Sequence, residues 1–192
     1  MRRVRERLAI LALVAGARSM VSCGGAAAHG HSPQYSEVGE ERAASAGARD
    51  YDPVMAARQP EAWRKGAVTL FGIVEDRAAG PGGQALLKLS VRRLEPHNVC
   101  GRSGDDDTCR VTVSDKDFGV VWALASLRGE DDLGPRAVGQ RSLVRVVGTL
   151  GQDVSPVDGS PMVHATYCRH FPPADYATVG SLRTADRAPP RR

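Results

Sequence analysis

Between residues 66 and 171 the apolar positions recur mostly at every second residue, a period that belongs to strands and not to helices. The clearest run is ALLKLSVRRL at residues 85–94. It places Leu87, Leu89 and Val91 on one face and Lys88, Ser90 and Arg92 on the other. Residues 67–75 (AVTLFGIVE), 109–114 (CRVTVS), 142–150 (SLVRVVGTL) and 161–171 (PMVHATYCRHF) read as further strands, with Gly72 marking a bend or bulge in the first. After a kink at 115–119, residues 120–124 (VVWAL) resume extended structure. The connections carry turn chemistry: AAGPGGQ at 78–84, GRSGDDDT at 101–108, a polar insert at 126–139 and a long turn at 151–161 tipped by Asp158-Gly159.

Five strands with a short polar insert between the third and fourth follow the order of an OB-fold barrel, whose closure removes the exposed edges of an open sheet. The wording VGQRSLVRVVGTL, then DGSPMVHATYC, resembles OB-fold domains at their fourth and fifth strands, and VTLFGIVED resembles their first. The resemblance covers residues 66–172. It implies an all-β fold, a small five-stranded OB-like barrel with a short helix or turn between strands three and four. In that order the fifth strand runs parallel to the third. Another small barrel or a sandwich is the alternative.

The amino-terminal segment has a separate character. MRRVRER is followed by a ten-residue apolar run, LAILALVAGA at 8–17, which is too short to span a bilayer and fits the core of a secretory signal. Met20-Val21-Ser22-Cys23-Gly24 resembles a bacterial lipobox. The resemblance implies that residues 1–22 are a lipoprotein signal peptide and that the sulfur of Cys23 carries a diacylglyceryl group, anchoring the chain to a membrane. Gly24 after the cysteine, in place of Asp, is similar to the pattern for outer-membrane sorting, facing the periplasm or the cell surface. Plain secretion is the alternative.

Residues 23–50 hold few large apolar side chains and read as a flexible tether. In the lead-in at 51–65, Asp52 is placed to cap a helix running to Arg58, Pro53 suits its first position, and Trp63 is expected to pack this segment onto the domain at 66–175. The Arg/Pro-rich end, 176–192, reads as a disordered tail.

Export fixes the cysteine chemistry. In an oxidising compartment Cys100 and Cys109 can meet across the loop 101–108 as a disulfide, which would hold the acidic run at 105–107 in shape. Cys168 is then left as a small buried apolar residue. His164, Cys168 and His170 stand at even spacing, so an unbroken strand would put all three on one face. They, or a set of Cys100, Cys109, Cys168 and His170, are the weak basis of a metal-binding alternative.

The charge and the missing motifs narrow the function. The formal charge of +4 lies wholly in residues 1–22, which carry five arginines against one glutamate; from Cys23 onward the chain is neutral. Nucleic-acid affinity rests on neutralising phosphates, so this body is ill suited to it. Aromatics are 5% of the chain, and the second and third strands show Arg92, Arg93 and Arg110 but no aromatic platform before Trp122. No G-x-S-x-G elbow, phosphate loop or H-E-x-x-H occurs, and no cofactor is indicated. The reading is a non-enzymatic, lipid-anchored envelope protein whose barrel binds a protein, glycan or small ligand. An oligonucleotide-binding OB domain and a metal-binding periplasmic protein are the alternatives. By fold analogy, Lys88, Arg92 and Trp122 form the candidate binding face, between the first loop at 76–84 and the last at 151–161.

Overall fold

The computed structural model describes residues 33–101 and 108–181. The proposed signal peptide, Cys23, the first part of the tether, the run at 105–107 and the tail beyond Ser181 lie outside the described residues. The chain enters through α1 (Gly39–Ser45), β1 (Arg49–Asp50), α2 (Pro53–Arg58) and α3 (Pro60–Arg64). Asp52 caps α2 by accepting from the backbone N–H groups of Val54 and Met55, and Pro53 takes the first helical position. Trp63 is buried edge-on against Tyr51, with the Arg49 guanidinium 3.7 Å from its ring centroid.

A closed barrel follows. β2 (Ala67–Ala79) pairs antiparallel with β3 (Ala85–Arg92) along its second half and with β7 (Leu143–Val154) along its first. β3 pairs antiparallel with β6 (Val120–Ala125), β6 runs parallel to β8 (Pro161–Phe171), and β8 returns antiparallel to β7. The order β2-β3-β6-β8-β7 therefore closes on β2, which is the five-stranded OB arrangement. The polar insert between β6 and β7 contains the expected short turn of helix, Gly129–Asp131. Val68, Leu70, Val74, Leu87, Leu89, Val91, Val121, Ala123, Val144, Val146 and Val163 fill the interior, so the alternation in ALLKLSVRRL points inward as it predicts.

Three expectations need correction. The third barrel strand is β6, and not the run at 109–114. That run forms β5 (Cys109–Val113), which leaves the barrel to pair with β4 (Val99–Cys100) and with β9 (Tyr176–Thr178) in a separate small sheet. Val111 and Val113 bury themselves there against Phe71, Leu143 and Phe171, a second apolar cluster outside the barrel that gives β5 a core of its own. Second, the flexible tether ends early: residues 33–50 are folded onto the barrel, and Glu41 is fully buried. Third, the tail begins later than 176, because β9 occupies those residues.

Gly72 also has a different role. The β2 bulge falls between Val74 and Asp76, while Gly72 lets β3 approach closely: a Cβ there would stand 2.8 Å from Cβ of Leu89.

Cys100 and Cys109 form a disulfide that joins β4 to β5. It closes a short loop, and Cys109 is itself 2% exposed. Cys109→Ser is expected to cost about 2–3 kcal/mol in denaturant unfolding, and the reduced wild type should unfold at the same midpoint as the variant.

Candidate functional site

The outer face of the barrel carries a row of residues in register. Arg169 on β8 lies opposite Arg145 on β7, Arg145 lies opposite Phe71 on β2, and Phe71 lies opposite Arg92 on β3. Period-two alternation sends all four outward, because their neighbours Val144, Val146, Leu70 and Val91 point into the core.

The segment 33–45 crosses this row. Glu41 accepts hydrogen bonds at 2.8 Å from the guanidinium of Arg145 and at 2.8 Å from that of Arg169. It also accepts from the Tyr35 hydroxyl and, at 3.2 Å, from the backbone N–H of Val38. The last contact is the reach-back of a glutamate at the third helical position to its own N-cap. Arg145 is further paired with Glu37 at 2.7 Å and donates to Thr69 at 3.2 Å. Burial alone would raise the Glu41 carboxyl, but the hydrogen bonds from Tyr35 and Arg145 outweigh it and hold the group below the usual glutamate range. Burial, then Glu41, pushes the Tyr35 phenol up.

Beside this fastening, a cleft of about 590 Å³ opens along the β2 edge where β3 ends and β1 begins. Its apolar lining includes Phe71, Tyr35 and Leu94; its charged groups include Arg92 and Arg93 where β3 ends, Asp50 and Asp52 at β1, and the paired Arg145 and Glu37 on the β7 side of Phe71. Arg92 donates one terminal nitrogen to the backbone carbonyl of Asp115, and its Nε is buried with no acceptor. Arg93 rests its guanidinium on the Phe118 ring, 4.3 Å from the centroid.

Of the three predicted face residues, only Arg92 reaches this cleft. Lys88 and Trp122 are cross-strand partners further along the barrel, beneath the β7–β8 turn. Trp122 is 1% exposed among Leu124, Met162 and Leu86, and its indole N–H donates to Asp158 at 2.9 Å. Lys88 reaches the other Asp158 oxygen at 3.4 Å. Burial lifts the Asp158 carboxyl, but hydrogen bonds from Ser160, Trp122 and Lys88 hold it at about 2. The last loop therefore seals Trp122 instead of framing it as an open platform.

The histidines on β8 separate. A register shift against β7 at Thr166 turns the strand over, so His164 lies outside opposite Thr149 while Cys168 and His170 lie opposite the core residues Val146 and Val144. His164 pairs with Asp153 at 3.0 Å. The Cys168 thiol is pushed up to about 12 by burial and by the charge of Asp131, which makes it a poor thiolate. With Cys100 and Cys109 bonded to each other, the proposed metal set of Cys100, Cys109, Cys168 and His170 has lost two ligands.

His170 makes an array that no motif in the sequence announces. Its Nε2 lies 2.9 Å from Oγ of Ser142, and its Nδ1 lies 2.9 Å from Oδ1 of Asp131. These are the contacts of a Ser–His–Asp triad. Ser142, however, is 3% exposed, and its Oγ accepts from the Gly139 N–H at 3.2 Å. The neighbouring N–H groups of Arg141 and Ser142 are spent on the carbonyls of Val74 and Gly139. An enclosed hydroxyl beside occupied donors offers an acyl group neither an approach nor an oxyanion site. The array instead ties the insert between β6 and β7 to β8.

No family model and no curated protein sequence matches the chain. Among solved structures, the single-stranded DNA binding protein from Thermus aquaticus, as a deletion mutant, is 21% identical with a TM-score of 0.29, covering 55% of this chain and 49% of that one. The small single-stranded DNA-binding protein from Streptomyces coelicolor is 22% identical with a TM-score of 0.31, covering 55% of this chain and 91% of that one. The chain thus matches about half the length of the Thermus protein. The fold rests on the strand order: the chain is an all-β protein built on a closed five-stranded barrel of OB topology.

Proposed function

We propose that this chain is an exported, lipid-anchored envelope protein whose OB-like barrel binds a protein, glycan or small ligand without converting it. The observation that carries export is the Cys100–Cys109 disulfide, a bond that persists in oxidising compartments and is rare in the cytosol. The basic start, the short apolar run and Cys23 in its lipobox-like setting agree with it. Binding without catalysis is supported by the open cleft at Arg92 and by the enclosure of Ser142. The single-stranded DNA-binding proteins named above do not extend their ligand to this barrel, because the chain from Cys23 onward lacks the excess positive charge that phosphate neutralisation draws on. Intact-mass measurement of the native product tests the anchor. The expected product begins at Cys23 and is heavier by its acyl groups; a retained leader, or an unmodified Cys23, overturns the reading.

A further inference from the structure

The charges around the cleft are not equivalent. Arg145 and Arg169 are already neutralised by Glu37 and Glu41. Among the described residues, Arg92 and Arg93 have no carboxylate partner, and Arg92 keeps a buried Nε–H with no acceptor. A guanidinium without a carboxylate partner at the mouth of a cleft favours an incoming oxyanion, which would form a charge-assisted contact with it. At the other end, Asp50 is exposed and forms no ion pair among the described residues, while Asp52 adds negative charge beside it. Asp50 pairs with Thr69 and Arg92 pairs with Phe71, two positions apart on β2, so their backbone positions are offset by roughly 7 Å along the strand. Phe71 and Tyr35, packed edge-to-face at 5.5 Å, supply the aromatic surface of the cleft.

We infer that this cleft is a binding site for a small zwitterion with an apolar body, its anionic group on Arg92 and its cationic group on Asp50. The assignment rests on the reading of the chain as a binding protein and names the ligand class of its cleft. A simple anion gains nothing from Asp50, and a simple cation gains nothing from Arg92. Only a molecule bearing both charges satisfies the two ends together.

The probe is 4-(aminomethyl)benzoate, titrated into the ¹⁵N-labelled full chain, with benzoate and benzylamine as single-charge controls. The expected result is a shift of the Arg92 Nε–H resonance and binding roughly tenfold tighter than either control, the factor that one charge-assisted contact supplies. Asp50→Asn, an exposed change, should lower the zwitterion to the level of benzoate, and Arg92→Gln should lower it to the level of benzylamine. Equal binding of benzoate and the zwitterion overturns the assignment, as does the absence of any shift at Arg92. Neither of those results bears on the mass measurement, and a retained leader in that measurement leaves the titration intact, so the two readings fail separately.

Discussion

Glu41→Ala is expected to destabilise the protein by about 3 kcal/mol at neutral pH, at the lower end of what breaking a buried charge network costs, because Glu37 still pairs with Arg145 after the change. The variant leaves Arg169 without its carboxylate and Tyr35 without its acceptor. The pH dependence gives a second readout. The folded-state pKa of Glu41 lies below its unfolded value, so its contribution is fully present above the unfolded value and is lost as the pH falls through the folded one. The gap between wild type and variant should therefore be widest near neutrality and narrow in acid. Denaturant unfolding at several pH values measures both. A loss under about 1 kcal/mol with no change in the acid limb would mean that the segment 33–45 is not fastened to the barrel as described.

Gly148→Ala should cost about 3 kcal/mol or more, at or beyond the upper end of ordinary overpacking. Gly148 sits opposite Ala165 on β8, next to the bulge that turns that strand over. A Cβ at this position would stand 2.2 Å from the carbonyl oxygen of His164 and 2.9 Å from Cα of Ala165. Both obstacles are backbone, so no rotamer change relieves them; either β7 and β8 part or the bulge is lost. Because the bulge sets which residues of β8 face the core, the variant should also alter the environment of His170. Its ring resonances, compared with wild type, report that directly. A variant with native stability and native His170 signals would show that β8 can move aside at no cost.

The barrel was legible because period-two alternation is a local signal. Leu87, Leu89 and Val91 declare one face regardless of their partners. The third strand is ambiguous in the sequence because CRVTVS and VVWAL carry the same alternation, and only the long-range pairing of β6 with β3 and β8 decides between them. The disulfide could be read from loop length, since the two thiols flank a turn-rich segment. The candidate site was mostly hidden. Arg145 and Arg169 look like ordinary solvated charges in their strands, and GEERAAS like a surface stretch; their meeting depends on the path of the chain from Val38 to Asp50. Arg92 lines the cleft and Trp122 does not, because alternation reports a side and says nothing about the loop that covers it. The bulge at Thr166 defeats spacing arguments for His164, Cys168 and His170, since a single extra residue exchanges inside for outside.

The docking of residues 33–45 has a mechanical consequence for a chain moored at Cys23. A tether reaching to Asp50 would allow a stand-off of roughly 90 Å from the bilayer, at the reach of an extended chain. With the chain already captured at Pro33, an anchor at Cys23, as proposed, would limit that stand-off to roughly 30 Å, the full reach of ten residues. The Arg92 cleft, whose wall includes Tyr35 of the captured segment, would then work within one small protein's diameter of the lipid headgroups instead of sweeping the full depth of the surrounding compartment.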